Sequence, residues 1–434
     1  MPHVCFVPMS GFRIRAEELA ELGMSMPGLG PRASAVGQLP ALGVLTLAGM
    51  LPPDWSCCYQ PIAQTSDEVI QRITKHQPDV VAVSALTASV NDAIRLSRSL
   101  RSNGLQTVIG GLHATALPDE LQTEFDAVVV GSGESVWTQV CRDAEHKCLQ
   151  PIYRATPAAQ TLWPTPRFDL LPERPHRFTL QTQRGCPLAC EFCAASRMLG
   201  RFSEKPLSHI ARELQLLKTL RPRPLIELAD DNTFAGRRDQ NALLEVLKES
   251  GARWFTEADW RIGERPDLVN QLAAAGCMQI LVGIESLCFR YPGMGNKQAD
   301  LNRILKAIDN LQSAGVAVNG CFVLGADGES QESIDRLIAF IDASPLAEVQ
   351  LTLQTPFPGT DLYRRLDHAG RLLKARDWSH YTLFDVTFEP DQMTVAELEL
   401  AFLRAVESVF RAEAVQRRLR LRDEIWQINL RHRL

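Results

Sequence analysis

The sequence predicts an α/β protein made of an open parallel sheet, a partial (β/α)6 barrel and a mainly helical C-terminal tail. Two observations predict this class: short β-branched runs alternate with helical periods as far as residue 148, and six further strand–helix units follow from residue 178. These patterns divide the chain into an open-sheet domain (1–149), a proline-rich linker (150–177), the barrel (178–365) and the tail (366–434).

The composition of the 434 residues is that of an ordinary globular protein, with 45% hydrophobic residues, 22% charged residues and a net charge of −5. It argues against extensive disorder and against a nucleic-acid partner, because it offers no strong positive field. No apolar run approaches the roughly 18 residues of a membrane span, and the first residues do not resemble a signal peptide. We therefore expect a cytoplasmic protein without a membrane span, in which clustered cysteines indicate metal or redox chemistry.

The open-sheet domain is predicted to have five strands in a doubly wound, Rossmann-like arrangement. The predicted strands are VCFVPM (4–9), WSCCYQ (55–60), DVVAVSA (79–85), TVIGG (107–111) and DAVVVGSGE (126–134). Gly110 and Gly111 end the fourth strand, and Gly131 and Gly133 follow the fifth. Missing side chains at the carboxyl edge of a parallel sheet let a ligand approach the backbone, so we expect a binding site there.

The barrel is predicted from six strands that each precede a helix. These are FTLQTQ (178–183), LIELAD (225–230), RWFTEAD (253–259), QILVGIES (279–286), VAVNGCFVLG (316–325) and EVQLTLQ (348–354). Six units make a barrel that stays open on one side, and the chemistry of such barrels lies at the carboxyl ends of their strands. Residues Arg184, Trp260 and Arg261 follow strand ends, so we expect them to line the barrel mouth.

The most specific motif is a C-x3-C-x2-C run just after the first barrel strand, formed by Cys186, Cys190 and Cys193 with Phe192 before the last cysteine. Three thiolates on one cubane leave an iron open to a further ligand. A zinc site would normally add a fourth Cys or His nearby, and none occurs in the next fifteen residues. Zinc, or three unligated cysteines, are the alternatives to an iron–sulfur cluster. The other eight cysteines are expected to be packing or incidental residues.

This motif resembles that of the radical S-adenosylmethionine (radical SAM) superfamily. The resemblance implies a [4Fe–4S] cluster on Cys186, Cys190 and Cys193, whose fourth iron binds S-adenosylmethionine (SAM). An electron, from a donor such as a flavodoxin or ferredoxin, would then cleave SAM to a 5′-deoxyadenosyl radical. The resemblance also implies SAM contacts near the ends of later strands, at Asp230, Asp231, Glu257, Glu285, Ser286 and Gly325. The aspartates have a helix-capping role as their alternative, and Glu329 lies one residue later than the family's G-x-I-x-G-x-x-E spacing requires.

The open-sheet domain is similar to the cobalamin-binding domain found before many radical SAM barrels. The resemblance rests on Val108–Thr115 and on 126–134, and it implies cobalamin contacts at Gly110, Gly111, His113, Gly131 and Gly133. The D-x-H-x-x-G signature of histidine-ligated cobalamin is absent, because Gly111 precedes His113 where the Asp would stand. The alternatives are cobalamin without a matched histidine ligand and a vestigial domain that binds nothing.

The function predicted from these features is cobalamin-dependent methyl transfer to a small metabolite or lipid. The alternative is a radical SAM enzyme that does not methylate, and instead cyclises or rearranges its substrate or transfers the aminocarboxypropyl group of SAM. In that case the cobalamin domain would be vestigial. The sequence names neither the substrate nor a catalytic acid or base.

Overall fold

The computed structural model describes residues 1–9, 39–156, 161–171, 175, 177–198, 200–295 and 301–432, with the backbone alone for 196 and 197. Two six-stranded parallel sheets dominate it, and the predicted fold class is confirmed. Within these ranges, no helix combines the length and the apolar character needed to cross a membrane.

The first sheet has the strand order β2-β1-β3-β4-β5-β6, and all its pairings are parallel. Its strands are β1 (His3–Pro8), β2 (Ser56–Tyr59), β3 (Val80–Ser84), β4 (Gln106–Gly110), β5 (Ala127–Val130) and β6 (Ile152–Arg154). The sequence predicted five strands, so β6 is a correction: it lies in the stretch assigned to the linker. Strand β6 was missed because it has only three residues, lies beside many prolines and shows no strand period. In the structure, its Tyr153 is buried and the Tyr153 hydroxyl donates to Asp143 over 2.6 Å.

Helices cover both faces of this sheet, as a doubly wound fold requires. They are α1 (Leu42–Ala48), α2 (Asp67–Lys75), α3 (Val90–Ser102), α4 (Leu112–Ala116), α5 (Pro118–Leu121) and α6 (Trp137–Glu145). One face of β1 packs through Cys5 and Val7 onto α2 and α3, and the other packs through Val4 and Phe6 onto α1 and α6. Each face therefore has its own apolar core.

The second sheet confirms all six predicted barrel strands. They are β7 (Phe178–Leu180), β10 (Leu225–Leu228), β11 (Arg253–Ala258), β12 (Cys277–Glu285), β13 (Ala317–Leu324) and β14 (Glu348–Leu353). Their spatial order follows the chain, with β7 and β14 as the edge strands. A short antiparallel pair, β8 (Gln183–Arg184) with β9 (Ser203–Glu204), flanks the loop that carries the three cysteines.

Helices pack on the convex side of this sheet and build the largest apolar core. They are α8 (Leu207–Leu220), α9 (Gln240–Ser250), α10 (Pro266–Leu272), α11 (Leu301–Ser313), α12 (Gln331–Ala343) and α13 (Asp361–His368), whereas the short α7 (Ala194–Met198) directly follows the cysteine loop. Trp260 belongs to this core and is only 1% exposed, so its predicted place at the barrel mouth is wrong. The neighbouring Arg261 pairs with Asp259 over 2.5 Å.

The tail is helical, as predicted, and consists mainly of α14 (Val395–Val409) and α15 (Ala412–Arg431). Buried Leu398 and Phe402 of α14 extend the barrel's outer core. Helix α15 lies against the amino-terminal ends of β12 and β14, where its Asn429 donates to the Cys277 carbonyl over 2.7 Å and its Arg422 pairs with Glu348 over 3.0 Å. The tail therefore covers the barrel at the end opposite to its carboxyl edge.

Candidate functional site

The cluster loop, residues 185–193, lies at the carboxyl edge of the barrel and carries the three cysteines of the motif. Cys190 is buried, and Cys186 and Cys193 are half-buried. Its backbone is bonded to a second loop, because the Ala189 N–H donates to the Gly293 carbonyl over 3.3 Å. A Cβ at Gly293, whose φ is +83°, would lie 1.9 Å from the Ala189 oxygen, so only glycine permits this approach.

An apolar wall backs the cluster loop. The Phe192 ring lies edge-on to Tyr291 with centroids 4.7 Å apart, and Phe289 meets the other side of Tyr291 at 4.8 Å. On the polar side, the Asn232 amide lies 3.9 Å from the Cys186 sulfur. Three thiol donors in water-poor surroundings, with an amide that can donate to a thiolate, fit a [4Fe–4S] cluster with one open iron.

The cluster loop is also fixed by an ion-pair network that sequence reasoning missed. Buried Glu191, between the second and third cysteines, accepts two hydrogen bonds from Arg365 of α13 at 2.9 and 3.1 Å. The same guanidinium contacts Asp327, which also accepts from Arg371 over 2.9 Å. The sequence signal for this network was an acidic residue, Glu191, inside the cysteine motif. The network joins the loop to the far edge of the barrel.

The two aspartates after β10 occupy different environments. Asp230 is buried and accepts from the Thr182 N–H over 2.7 Å, the Gln183 N–H over 3.1 Å and the Thr233 hydroxyl over 3.0 Å, so it fixes the entry to the cluster loop. Asp231 is half-buried, and burial together with the Asp230 charge raises the pKa of its carboxyl to about 6. Of the pair, Asp231 is the one that a ligand can reach.

The ends of β12 and β13 bring together several of the predicted SAM residues. The Ser286 hydroxyl donates to Glu329 over 2.7 Å, and the other Glu329 oxygen accepts the Gly325 N–H over 2.7 Å. Glu329, which lies one residue later than the family spacing, thus links the ends of β12 and β13 through hydrogen bonds. Glu285 is buried with a φ of +68°, next to a register shift that begins at Gly283. A non-glycine residue in that conformation costs about 1–3 kcal/mol, and such strain clusters at functional sites.

The concave face of the barrel sheet is open and polar. Glu257 is exposed on β11, and the neighbouring strands contribute half-buried Glu227, Gly283, Cys321 and Gln350. Because alternate residues of a strand face opposite sides, the intervening positions fill the outer core. Glu257 therefore lies on the concave wall of the barrel.

The glycine edge, defined as Gly110, Gly111, Gly131 and Gly133, lies half-buried at the carboxyl ends of β4 and β5. Two of these glycines are required by the protein's own backbone. A Cβ at Gly111 (φ +117°) would lie 2.8 Å from the Ala85 oxygen, and one at Gly131 (φ +84°) 2.8 Å from the Ala155 Cβ. A Cβ at Gly110 would lie at an ordinary contact distance, 3.8 Å from the Val129 Cβ. The missing side chains leave half-buried backbone at this edge, which fits the approach of a flat ligand such as a corrin.

His113, two residues after Gly111 in α4, is buried and only 1% exposed. The indole of Trp378, from the segment between α13 and α14, covers its imidazole edge-on with centroids 5.2 Å apart. The Trp378 indole N–H donates to Glu120 over 3.1 Å, and this hydrogen bond fixes the indole beside the His113 imidazole. Burial lowers the pKa of His113 to about 4, so the ring is neutral near pH 7. Sequence reasoning did not identify Trp378.

The two carboxyl edges meet. Arg184, two residues before Cys186, pairs with Glu134 directly after Gly133 over 2.6 Å, and both side chains are at least nine-tenths buried. Helix α4, which follows the glycine edge, packs on α7, which follows the cluster loop. Arg184 therefore lies between the domains rather than in an open barrel mouth, and the predicted cofactor sites face the same region.

The family comparison agrees with this geometry. Residues 180–341 match the Radical SAM superfamily model, which makes the barrel with its cluster loop a radical SAM domain. Residues 29–140 match the model of the B12 binding domain. The chain belongs to the radical SAM enzymes that carry a cobalamin-binding domain, and its domains imply a [4Fe–4S] cluster, SAM and cobalamin as cofactors.

Similar proteins share both domains along most of the chain. A bacteriochlorophyllide d C-12(1)-methyltransferase of Chlorobaculum tepidum is 24% identical over 84% of this chain and 82% of its own length. An anaerobic magnesium-protoporphyrin IX monomethyl ester cyclase of Rubrivivax gelatinosus is 22% identical over 77% of this chain and 66% of its own. Among solved structures, the cobalamin-dependent radical SAM enzyme OxsB with aqua-cobalamin bound has a TM-score of 0.68 at 14% identity, over 92% of this chain and 66% of that one.

Proposed function

We propose that the protein is a cobalamin-dependent radical SAM methyltransferase that acts on a small metabolite or lipid. The observation that carries this proposal is the junction of the two carboxyl edges, through the Arg184–Glu134 pair and the packing of α4 on α7. When a methyl donor and a radical source are bound at one cavity, both can act on the same substrate before that substrate is released. The methyltransferase relative from Chlorobaculum tepidum supports the same reaction class.

In this proposal the residues of the barrel divide into three tasks. Cys186, Cys190 and Cys193 hold the cluster. Half-buried Asp231 faces the cationic groups of SAM. Glu285 and Ser286, at the end of β12 that Glu329 links to β13, bind the polar groups of SAM. When bound, the cluster with SAM supplies a 5′-deoxyadenosyl radical and cobalamin supplies the methyl group.

The open-sheet domain, in the same proposal, binds the corrin through backbone and shape. At the glycine edge the missing side chains let a ligand approach the half-buried backbone. His113 is covered by Trp378, so we propose that it supports the fold of the edge and does not bind cobalt. This agrees with the missing D-x-H-x-x-G signature.

The substrate is proposed to lie against the concave face of the barrel. Glu227, Glu257 and Gln350 offer hydrogen-bond acceptors and an amide there, and the Glu227 carboxylate is held by Arg177 over 3.0 Å. A flavodoxin or ferredoxin is proposed as the electron donor, and dithionite replaces it in the experiment below.

The proposal is tested with the full-length protein, reconstituted anaerobically with iron, sulfide and cobalamin. It is incubated with dithionite, SAM carrying a deuterated methyl group, and fractionated small-molecule extracts of the source cells. We expect 5′-deoxyadenosine and S-adenosylhomocysteine to form together, with the deuterated methyl group on one acceptor. A Cys148→Ala variant, which changes an exposed cysteine far from the motif, should behave like the wild type.

Two other outcomes would overturn methyl transfer. Formation of 5′-deoxyadenosine without S-adenosylhomocysteine, in a fraction where an acceptor is consumed, would mean cyclisation or rearrangement, and the cyclase relative makes this the main competitor. Formation of 5′-methylthioadenosine would mean aminocarboxypropyl transfer. In either case, failure to bind cobalamin would assign the open-sheet domain a vestigial role.

A further inference from the structure

A second group of metal-ligating side chains lies outside the proposed cofactor sites, at the opposite edge of the open sheet. His3, Cys58 and His76 form this amino-edge cluster, and one ligand atom from each lies within 4.8 Å of those from the others. His3 begins β1, Cys58 is in β2, and His76 directly follows α2. The two strand residues are half-buried and His76 is exposed, so solvent reaches the cluster from one side.

The strand register explains why these residues meet. In the parallel β1–β2 pair, His3 is opposite Ser56 and Cys5 is opposite Cys58, so His3, Cys5 and Cys58 all face the layer that contains α2. The C-terminal end of α2 brings His76 over the same face, and the His3 and His76 rings stack with centroids 6.3 Å apart. The partial negative charge at a helix C-terminus favours a cation at that position.

The hydrogen bonds of His3 leave one of its ring nitrogens available. Nδ1 lies 2.7 Å from the Ser56 hydroxyl, whereas Nε2 is buried and makes no hydrogen bond to any described residue. A histidine whose second nitrogen bonds a polar oxygen is the usual arrangement of a metal ligand, because that bond fixes the ring and its tautomer. A buried nitrogen without a hydrogen bond is destabilising, and a bound cation would remove this cost.

Cys58 is suited to coordinate a metal as a thiolate. It lies on the strand next to Cys5, on the face that His3 and His76 share, and cysteine binds zinc through its sulfur as a thiolate. Cys5 itself is fully buried in the core of this face, and its interaction with Cys58 and its burial raise the pKa of its thiol. Cys58 packs against the same core, as the sequence interpretation expects, and the proposal below gives it a further role.

We propose that His3, Cys58 and His76 bind a zinc ion, with solvent as the fourth ligand. Two imidazoles and one thiolate form a donor set that suits Zn²⁺ and does not suit Mg²⁺ or Ca²⁺. The ion would join edge strand β2 and the end of α2 to β1, far from the glycine edge. The site is independent of the reaction proposed above.

The test measures the zinc content of the full-length, cluster-reconstituted protein, whose cluster cysteines are already occupied. After equilibration in a zinc buffer and desalting, metal analysis should find one zinc ion per chain in addition to the cluster iron. The variants Cys58→Ser and His76→Gln should bind zinc at least about 100-fold more weakly, because even partners outside the ligand set change metal affinity by about 10- to 100-fold.

Two matched controls come from the same domain. Cys57→Ser changes the neighbouring β2 cysteine, which faces the other core, and His146→Gln changes the histidine that caps the C-terminus of α6. Both should keep wild-type zinc. His76 is exposed, so its variant keeps the test decisive even if Cys58→Ser fails to fold.

Three outcomes would overturn the zinc site. Wild-type protein without zinc, or a His76→Gln variant with unchanged zinc, would each reject it. Zinc-edge X-ray absorption of the loaded protein should also show one sulfur with nitrogen and oxygen neighbours. A shell of three or four sulfurs would mean that zinc occupies the motif cysteines instead.

Discussion

The cluster loop and the glycine edge are the two places where this chain is expected to hold a cofactor, and they are built by different means. At the cluster loop side chains dominate: three thiols, an aromatic wall that begins with Phe192, and Glu191 held by Arg365. At the glycine edge the side chains are absent, and what remains is half-buried backbone. A site made of side chains leaves a spaced motif in the sequence. A site made of backbone leaves glycines, which turns also require.

The largest expected effect comes from breaking the cluster loop alone. Replacing all three cysteines of the motif by alanine should abolish the iron–sulfur absorbance and all formation of 5′-deoxyadenosine, because no other group in this proposal can hold the cluster. Cobalamin binding should persist, since the glycine edge belongs to the other sheet. The measurements are iron content, the visible spectrum and cobalamin binding.

The control for this variant is Cys148→Ala, which removes an exposed cysteine on the far side of α6 and should keep the cluster. If the triple variant also lost cobalamin while its thermal unfolding stayed cooperative, the two sites would not be separate. The cluster loop and the glycine edge would then not be two independent cofactor sites.

The converse experiment fills the glycine edge. Gly110→Leu should prevent cobalamin binding and methyl transfer while the cluster still forms and still cleaves SAM. The leucine would add a side chain at this edge. Because its Cβ would lie at an ordinary contact distance, 3.8 Å from the Val129 Cβ, little backbone strain arises. Cobalamin binding is measured by equilibrium dialysis, and SAM cleavage by the yield of 5′-deoxyadenosine.

Gly43→Leu is the matched control, because Gly43 is exposed in α1 and a Cβ there meets nothing within 4 Å. Unchanged cobalamin affinity in Gly110→Leu would show that the corrin does not approach β4. The glycine edge would then owe its glycines to turns alone.

A third, smaller effect tests the junction between the two regions. Glu134→Ala leaves the buried Arg184 guanidinium without its carboxylate, and breaking such a pair costs about 3–5 kcal/mol. We expect the ratio of methylated product to 5′-deoxyadenosine to fall, because the edges lose their alignment while each cofactor stays bound. Replacing both residues with methionine removes the unpaired charge and should restore much of the stability.

The readout for this pair is the coupling of the two reactions, measured beside the midpoint of thermal unfolding. An Arg167→Ala variant breaks an exposed ion pair with Asp169 and serves as the control. A variant at Glu134 that lost stability but kept the wild-type product ratio would assign the contact to folding alone.

The sequence was sufficient to predict features that repeat along the chain and features that lie within a few consecutive residues. The six barrel strands follow from six strand–helix units, and the cluster ligands follow from eight consecutive residues. It was insufficient for β6, whose three residues are too short to show a period. It also missed the contacts Glu191–Arg365 and Glu134–Arg184, which join residues 174 and 50 positions apart. Such pairs arise from packing between distant elements, and nothing in the local pattern marks them.

Trp260 and His113 illustrate the same limit in another way. Both follow the carboxyl end of a strand, which is where functional residues are expected. Trp260 is nevertheless part of the outer core, and His113 lies under an indole that comes from the tail. The position along a strand predicts the edge of the sheet correctly. Which side chains at that edge remain accessible depends on what the rest of the chain packs over them.

The smallest expected effect tests whether His113 is covered as the structure has it. Burial lowers its folded pKa to about 4, below the value near 6.5 of an unfolded histidine, so the unfolded chain binds this proton more readily. Its contribution to the free energy of unfolding is therefore complete above about pH 6.5 and is lost as the pH falls toward 4, by about 3 kcal/mol at most. Denaturant unfolding of cofactor-free wild type and His113→Gln between these pH values measures the difference, with His146→Gln as the exposed-histidine control. Parallel pH profiles for wild type and His113→Gln would mean that the imidazole is accessible to solvent, and His113 would return to the group of residues available to bind cobalt.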